Sequence, residues 1–176
     1  FIDTKSKKKK YEGITIYKNE KIFVKKKKLN LILAVGNIKE RDKVIKKFNK
    51  NKFKFPIIIL NNSYIENTNN IGDGTVVMPF AKILSNTKIG KFCLIGTDVN
   101  ILHDVKIGKN CVLGGSTCVG ANTNIERNVL IGVGSIFSSN KKIIGQNSII
   151  CSGSVVHKDI VKNSKVMGNP FKYILK

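Results

Sequence analysis

The sequence predicts a mainly β protein: a parallel β-helix of about five coils over residues 64–176, preceded by a small α/β domain over residues 1–63. Three observations predict this. Aliphatic residues recur every six positions through the longer, carboxyl-terminal part of the chain. Small or β-branched residues follow each of them at a fixed spacing. The segment before this repeat lacks the period and has the pattern of a strand, a helix and a second strand.

The six-residue repeat starts at Ile65 and stays apolar in every step through Phe137. After one inserted residue it resumes at Ile144 and runs to Val156. A chance run of this length has odds on the order of one in a hundred thousand. A period of six fits no α-helix and is too short for hairpins, but it is a known β-helix period. Three such units would form a coil, and coils would stack at roughly 4.8 Å.

Two further positions in each six-residue unit support the repeat. The residue after the aliphatic one is often Gly, as at Gly72 and Gly132, and we expect it to permit tight corners. Cys93 and Cys111, one coil apart, should stack inside the helix. The residues four positions after the aliphatic ones are small or β-branched: Thr75, Ala81, Thr87, Cys93, Val99, Val105, Cys111, Thr117, Thr123, Val129 and Ser135.

The terminal "VMGNPFKYILK" is expected to leave the stack, as a short helix.

The amino-terminal part is predicted to be a β-α-β unit. "LNLILAV" resembles a buried strand, and "FPIIIL" a second one. Between them, Asn37 can cap a helix, with Glu40 completing a capping-box pattern. Gly36 and Asn37 would lie where the first strand ends, an edge at which α/β sheets bind ligands, although local sequence alone favours a plain strand-to-helix turn. The opening "FID" could end an earlier strand, with Asp3 at its tip.

The chain is strongly basic, with 32 Lys and Arg against 11 Asp and Glu and a net charge of +21. This charge could reflect a lysine-rich, solvated surface, or it could attract anionic ligands. Nucleic acid is disfavoured as a partner because zinc-finger spacing, ribonucleoprotein motifs and Arg clusters are missing.

No apolar run is long enough to span a bilayer, and no signal peptide is recognisable. The four cysteines form no CxxC pair, which favours reduced thiols in the cytoplasm and disfavours a metal site.

These residues resemble a known family. "IGKNCVLGGSTCVG", "ILHD" and "VMGNPFK" are similar to motifs of the hexapeptide-repeat acyltransferases. The order of parts resembles the branch of bacterial nucleotide-sugar N-acetyltransferases and sialic acid O-acetyltransferases. In that branch a small Rossmann-like domain precedes the β-helix. The resemblance implies a left-handed helix and a homotrimer with active sites between chains.

Relative to that family, the chain starts at the second strand of the first domain, without the first strand and its Gly-rich turn. We therefore expect the Rossmann-like domain to be incomplete. Val112 stands where the family often has a histidine that is placed for coenzyme A. Gly96–Thr97 stands where the family usually has Asn-Thr, seven residues before the histidine that corresponds to His103.

The resemblance implies acetyl transfer from acetyl-CoA to an amine or hydroxyl of a nucleotide-linked sugar, for surface glycan or polysaccharide synthesis, with no metal. His103 would be the general base, because histidine changes protonation near neutral pH, and Asp104 would orient it. His157 lacks such a neighbour and is expected on the surface. The resemblance places acetyl-CoA at Gly132, Val133, Ser152 and Gly153, and the nucleotide sugar at Asp3, Gly36 and Asn37.

Two alternatives stay open at this point. A degenerate β-helix could bind a ligand or scaffold a complex without catalysis. An acetyltransferase could also act on a free acceptor such as serine. The pair His103–Asp104 favours an enzyme, and the Rossmann-like segment favours a nucleotide-linked acceptor.

Overall fold

The computed structural model of the protein describes residues 2–3, 6–19, 23, 29–49, 53–66 and 70–174. Before the coil stack, β1 (Lys10–Tyr11) and β2 (Ile14–Thr15) form an antiparallel hairpin, and α1 spans Ile38–Asn49. The remaining strands of the described residues belong to a parallel β-helix with three sheet faces.

Each face of the β-helix is a ladder of very short strands. Face 1 contains β3 (Ile58–Ile59), β5 (Val76–Val77), β8 (Leu94–Ile95), β11 (Val112–Leu113), β14 (Leu130–Ile131), β17 (Ile149–Ile150) and β19 (Lys165–Met167), closed by antiparallel β20 (Lys172–Tyr173). Face 2 contains β4 (Tyr64–Ile65), β6 (Lys82–Ile83), β9 (Asn100–Ile101), β12 (Cys118–Val119), β15 (Ile136–Phe137) and β18 (Val155–Val156). Face 3 contains β7 (Lys88–Ile89), β10 (Lys106–Ile107), β13 (Thr123–Ile125) and β16 (Lys142–Ile144).

Three corners connect these faces. Corner A leads from face 1 to face 2, corner B from face 2 to face 3, and corner C from face 3 to the next face-1 strand. Coils are numbered here by their face-1 strands, so that β3 opens the first coil and β17 the sixth.

The predicted inward columns are confirmed. From Ile71 to Val156 every aliphatic residue of the series is buried, and Ile65, in the first coil, is half-buried. The small residues four positions later are buried as well. Cys93 and Cys111 are buried free thiols, and their Sγ atoms donate to the carbonyls of Gly108 and Glu126. Small residues are required because these positions lie where two faces converge and volume is limited.

The glycines after the aliphatic residues have a different role from the one predicted. Their φ angles are not positive; the positive values fall two residues later, as at Asp98 (φ 57) and Asn110 (φ 55). A Cβ at Gly108 would lie 2.6 Å from the backbone nitrogen of Arg127. Glycine is therefore needed there because the next coil passes too close for any side chain.

The stack has about six coils, more than the five predicted, because it begins earlier. Ile58 and Ile59 pair in parallel with Val76 and Val77, so the predicted second strand of the β-α-β unit is the first rung of the β-helix. The predicted terminal helix is wrong: β19 continues face 1, and β20 folds back on it as a hairpin. Phe171 fills the end of the core.

The strand predicted over "LNLILAV" is reduced to one parallel bridge between Asn30 and Lys54. Ile2 similarly makes only a bridge, to Tyr17. The capped helix is confirmed, because the Asn37 Oδ1 accepts hydrogen bonds from the N–H groups of Lys39 (3.0 Å) and Glu40 (3.1 Å). The lysine run at 7–10 is exposed, whereas the run at 25–28 lies outside the described residues.

Helix α1 docks on corner C through Arg41, whose side chain is only 2% exposed. Its guanidinium donates to the carbonyls of Val35 (2.9 Å) and Phe92 (2.9 Å) and to the Asn110 Oδ1 (3.2 Å). Burial lowers the pKa of Arg41. Asn110 continues this network down corner C through a ladder of side-chain amides: Asn110 to Asn128, Asn128 to Asn147, and Asn147 to Asn163.

Replacing Arg41 by Ala is expected to destabilise the protein by about 2–3 kcal/mol, because two buried acceptors and one partly buried acceptor lose their donor. The measurement is the free energy of unfolding in urea. The matched control is Arg127→Ala, since Arg127 is exposed and its Nε donates to Gln146. That change should cost less than about 0.5 kcal/mol. Equal losses in the two variants would contradict the anchoring role of Arg41.

Candidate active site

The two predicted catalytic residues form a hydrogen-bonded pair at corner B of the third coil. The His103 Nδ1 lies 2.7 Å from the Asp104 Oδ2. The two side chains are 53% and 45% exposed. A substrate can therefore reach the other ring nitrogen, Nε2, directly from solvent.

Backbone hydrogen bonds to the neighbouring coils hold this pair in place. The Asp104 N–H donates to the Ser85 carbonyl (3.1 Å), one coil earlier. The Asn122 N–H, one coil later, donates to the His103 carbonyl (3.3 Å). Both catalytic candidates thus sit on a backbone that is fixed from both sides, as a preorganised site requires.

The hydrogen bond with His103 lowers the pKa of Asp104, and a hydrogen bond with Asn86 lowers it further. The carboxylate is therefore ionised at neutral pH and accepts the Nδ1–H of the ring. Nε2 then carries the lone pair, as a general base needs. Sequence reasoning missed Asn86, although its position one coil before Asp104 is a signal that could have found it.

The four residues predicted to contact acetyl-CoA lie together at corner A of the fifth and sixth coils. The Gly153 N–H donates to the Val133 carbonyl (2.9 Å). A Cβ on Gly132 would lie 2.4 Å from the Ser152 backbone nitrogen. Val133, Ser152 and Gly153 are exposed, so this corner presents backbone and small side chains to solvent.

The residues predicted to contact the nucleotide sugar lie apart from the stack corners A and B. Asn37 caps α1 beside corner C, and Gly36 before it is exposed with open space around its Cα. Asp3 lies beside the segment that contains Tyr17, and its Oδ1 accepts the Ser6 N–H (3.0 Å).

Corners A and B are the two edges of face 2. The residues predicted to bind acetyl-CoA, at corner A, and the predicted catalytic pair, at corner B, are thus separated by the width of a sheet face within one chain. A single copy of the chain does not bring them together.

Comparisons with known proteins agree with this architecture. Residues 86–121 match the family described as bacterial transferase hexapeptide (six repeats). No curated protein sequence is similar enough to be matched. Among solved structures, the acetyltransferase domain of PglB from Neisseria gonorrhoeae is similar over 99% of this chain and 85% of its own, with 22% identity and a TM-score of 0.86.

Two further solved structures match at similar levels. WeeI from Acinetobacter baumannii is 25% identical, with a TM-score of 0.84 over 99% of this chain and 84% of its own. PerB from Caulobacter crescentus, solved in complex with CoA and GDP-perosamine, is 21% identical, with a TM-score of 0.77 over 93% of this chain and 80% of its own. The chain has the hexapeptide-repeat, left-handed β-helix fold. The expected hand of the coil is thereby confirmed.

In this hexapeptide-repeat β-helix, His157 is exposed and packs against the ring of Phe171 (centroids 5.4 Å apart). Within the described ranges, no three His, Cys, Asp or Glu side chains converge as a metal site would require. The helix of the described part of the chain is neither long nor apolar enough to cross a membrane.

Proposed function

We propose that this protein transfers an acetyl group from acetyl-CoA to an amine or hydroxyl of a nucleotide-linked sugar, for surface glycan or polysaccharide synthesis. The observation that carries the proposal is the exposed His103–Asp104 pair, with 2.7 Å between Nδ1 and Oδ2, on a hexapeptide-repeat β-helix. The solved structures that share this fold support it, because PerB was captured with CoA and GDP-perosamine and the PglB domain with acetyl coenzyme A.

The chemistry needs one general base and no covalent intermediate on the protein. As the acceptor nitrogen or oxygen attacks the thioester carbonyl, His103 Nε2 takes its proton. Asp104 keeps the proton of Nδ1 in place and stabilises the imidazolium. The C–S bond then breaks, and the proton on the ring passes to the CoA thiolate. Acetyl-CoA would lie along Gly132, Val133, Ser152 and Gly153, where small residues allow close approach to the backbone.

The separation of corners A and B supports a homotrimer. If three copies pack with face 2 toward the threefold axis, corner B of one copy meets corner A of the next. His103 of one chain then faces the acetyl-CoA residues of its neighbour. The side chains that point outward from face 1 are aliphatic from Ile58 to Ile149. They would form one wall of the cleft between copies. The active site is incomplete without a second chain.

The amino-terminal region over residues 1–63 is proposed to bind the nucleotide, through Asp3, Gly36 and Asn37. The dipole of α1 favours an anion near its N-terminus, where the Asn37 Oδ1 already accepts the N–H groups of Lys39 and Glu40. Location in the cytoplasm is proposed as well, because acetyl-CoA is supplied there and all four cysteines are free thiols.

The face that forms the trimer can be tested with two isoleucines of similar exposure. Ile136→Glu, on face 2, should dissociate the trimer, because three carboxylates would be brought together at the axis. Ile143→Glu, on face 3, should leave the trimer intact. The measurement is molar mass by light scattering, with transfer activity alongside. A trimeric Ile136→Glu with a monomeric Ile143→Glu would contradict the proposed arrangement.

The function itself is tested by thiol release from acetyl-CoA with a panel of acceptors: nucleotide-linked amino sugars, sialic acids and serine. We expect release that depends on a nucleotide-linked sugar. Release with serine alone would favour a free acceptor. No release with any acceptor would favour a non-catalytic scaffold.

A further inference from the structure

The last rungs of the coil stack form a basic and partly apolar surface that the proposed reaction does not use. We call this surface, residues 157–173, the end cap. Strand β20 is the outermost strand of face 1 there, because it pairs with β19 at the end of the ladder. Phe171 plugs the core beneath it and is only 5% exposed.

The charge of the end cap is strongly positive. Its one acidic residue is Asp159, whose Oδ1 accepts the Ile143 N–H (2.8 Å). Its four lysines are all exposed, one at corner B, one at corner C and two on the last strands of face 1: Lys158, Lys162, Lys165 and Lys172. The lysines thus surround the Phe171 plug from two corners and one face, so an anionic partner would meet positive charge across the whole end.

Large apolar side chains are exposed on the same surface. Val161 is 65% exposed, Met167 54% and Tyr173 43%. The Tyr173 hydroxyl accepts the Val161 N–H (3.2 Å), and its ring packs edge-on against Phe171 (centroids 5.7 Å apart). The Lys158 Nζ lies over the Phe171 ring, 5.8 Å from its centroid. A tyrosine held in this way suits a lipid–water interface, because its ring is apolar and its hydroxyl stays wet.

Lysines beside exposed apolar side chains are the combination that binds an anionic bilayer. Each lysine near such a surface raises the affinity about fivefold, and the apolar side chains can enter the headgroup region. A nucleic acid would use the lysines but would leave Val161 and Met167 without an apolar partner. A bilayer satisfies both parts of the surface.

The proposed trimer would place three end caps on one side of the assembly. With face 2 toward the threefold axis, the coils stack along that axis, so the last rungs of the three chains lie at the same end. A bilayer is flat and can contact all three end caps at once. Simultaneous contact raises the affinity well above that of a single end cap.

We propose that the end cap docks this protein on the surface of an anionic phospholipid bilayer. Docking of this kind is peripheral and goes beyond the proposed reaction, since it concerns the place of transfer and not the group transferred. His103 lies in the third coil, so at roughly 4.8 Å per coil it would stay about 15–20 Å above the bilayer. Its cleft would remain open to water-soluble substrates.

The experiment is co-sedimentation of the intact protein with vesicles of equal parts phosphatidylglycerol and phosphatidylcholine, beside vesicles of phosphatidylcholine alone. We expect binding to the mixed vesicles at about 0.1 M salt and much weaker binding at about 1 M, because salt screens the lysines. The double variant Lys162→Gln/Lys172→Gln should lower the affinity by about tenfold or more. Val161→Thr/Met167→Gln should lower it several-fold through lost apolar contact.

The matched control is Lys88→Gln/Lys106→Gln, which removes the same charge from face 3. Both lysines are exposed and lie in neighbouring rungs of β7 and β10. Lys106 is about 20 Å from the last rung, beyond the screening length of about 10 Å at 0.1 M salt. The affinity of this variant for the mixed vesicles should therefore stay within about twofold of the unmodified protein.

Four results would overturn the proposal. Equal loss in the two lysine variants would trace binding to net charge. Equal binding to phosphatidylcholine alone would remove the role of anionic lipid, and no sedimentation with either vesicle would remove the bilayer. Binding to polyglutamate through Lys162 and Lys172, without vesicle binding, would identify an acidic protein as the partner.

Docking and catalysis can fail separately. Transfer activity measured without vesicles should be the same in all three double variants, because none of them changes a residue proposed for the reaction. Vesicle binding that is lost in Lys162→Gln/Lys172→Gln would support docking even where no acceptor is acetylated. His103-dependent transfer without vesicle binding would support the proposed function and overturn docking.

Discussion

Replacing His103 by Ala is expected to lower kcat for acetyl transfer by about 10²–10⁴-fold, because the attacking group loses its general base. The KM for acetyl-CoA should change little, since the residues proposed to bind acetyl-CoA do not include His103. The measurement is acceptor-dependent thiol release under saturating substrates. Sedimentation and circular dichroism should show an unchanged assembly and fold, because the His103 side chain is exposed and supports no core contact.

His157→Ala is the matched control for this change. His157 is the only other histidine of the chain, is also exposed, and lies at the far end of the stack. Its removal should leave kcat within about twofold, as surface substitutions commonly do. A His103→Ala variant that keeps full activity would remove the catalytic assignment.

The pH profile provides a second test of the pair. The bond with His103 lowers the pKa of Asp104, so this carboxylate stays ionised as the pH falls below neutral. Its contribution to stability is present above the ordinary pKa of Asp and is lost only as the pH falls through the lowered value. The unfolding midpoint should therefore not fall between about pH 7 and 5, because Asp104 stays ionised there.

Replacing Gly108 by Ala is expected to destabilise the β-helix by about 3–5 kcal/mol, at the upper end for single substitutions. The new Cβ would lie 2.6 Å from the Arg127 nitrogen and 2.8 Å from the Glu126 carbonyl carbon, and both are backbone atoms that cannot rotate away. The third and fourth coils would have to separate at corner C. The measurement is the unfolding midpoint in urea, with thermal unfolding as a second probe.

Gly134→Asn is the control that distinguishes two reasons for a glycine: steric contact with the backbone of the next coil, and a left-handed backbone conformation. Gly134 has φ 67, and nothing lies within 4 Å of the position that a Cβ would take there. Asn already occupies this left-handed turn position at Asn128 (φ 59). The change should therefore be within about 0.5 kcal/mol of neutral. If Gly108→Ala were equally mild, close coil contact would not be the reason for glycine there.

Much of the candidate site could be predicted from the sequence because the repeat is periodic. Each six-residue unit buries the same positions, so a side chain two residues beyond an aliphatic one, such as His103, must lie on a corner. Its neighbour Asp104 falls on the left-handed turn position. The same period brings Val133 and Gly153 into adjacent coils. The contact of Asn86 with Asp104 follows the same spacing, although the sequence prediction does not include it.

The amino-terminal prediction is less accurate because local pattern does not show which neighbour a strand will pair with. "FPIIIL" has the composition of a buried strand, and it does form one. It pairs with Val76 and Val77 of the coil stack, since an open β-helix end leaves backbone groups that need partners. "LNLILAV" makes a single bridge instead of a ladder. At the other end, "VMGNPFKYILK" is predicted to be a helix, yet the last face-1 strand needs an edge partner, and β20 supplies it.

The coil, its inward columns and the corner that carries His103 and Asp104 all follow from the order of residues, because a six-residue period repeats locally and needs no distant partner. Associations between segments far apart in the chain arise only on folding. Arg41 anchors α1 to Phe92 and Asn110, and a shallow surface pocket brings together Asn62, Phe80 and Asp98 from three coils. Contacts of this kind depend on how coils and helix stack in space, which hydrophobic periodicity along one segment does not encode.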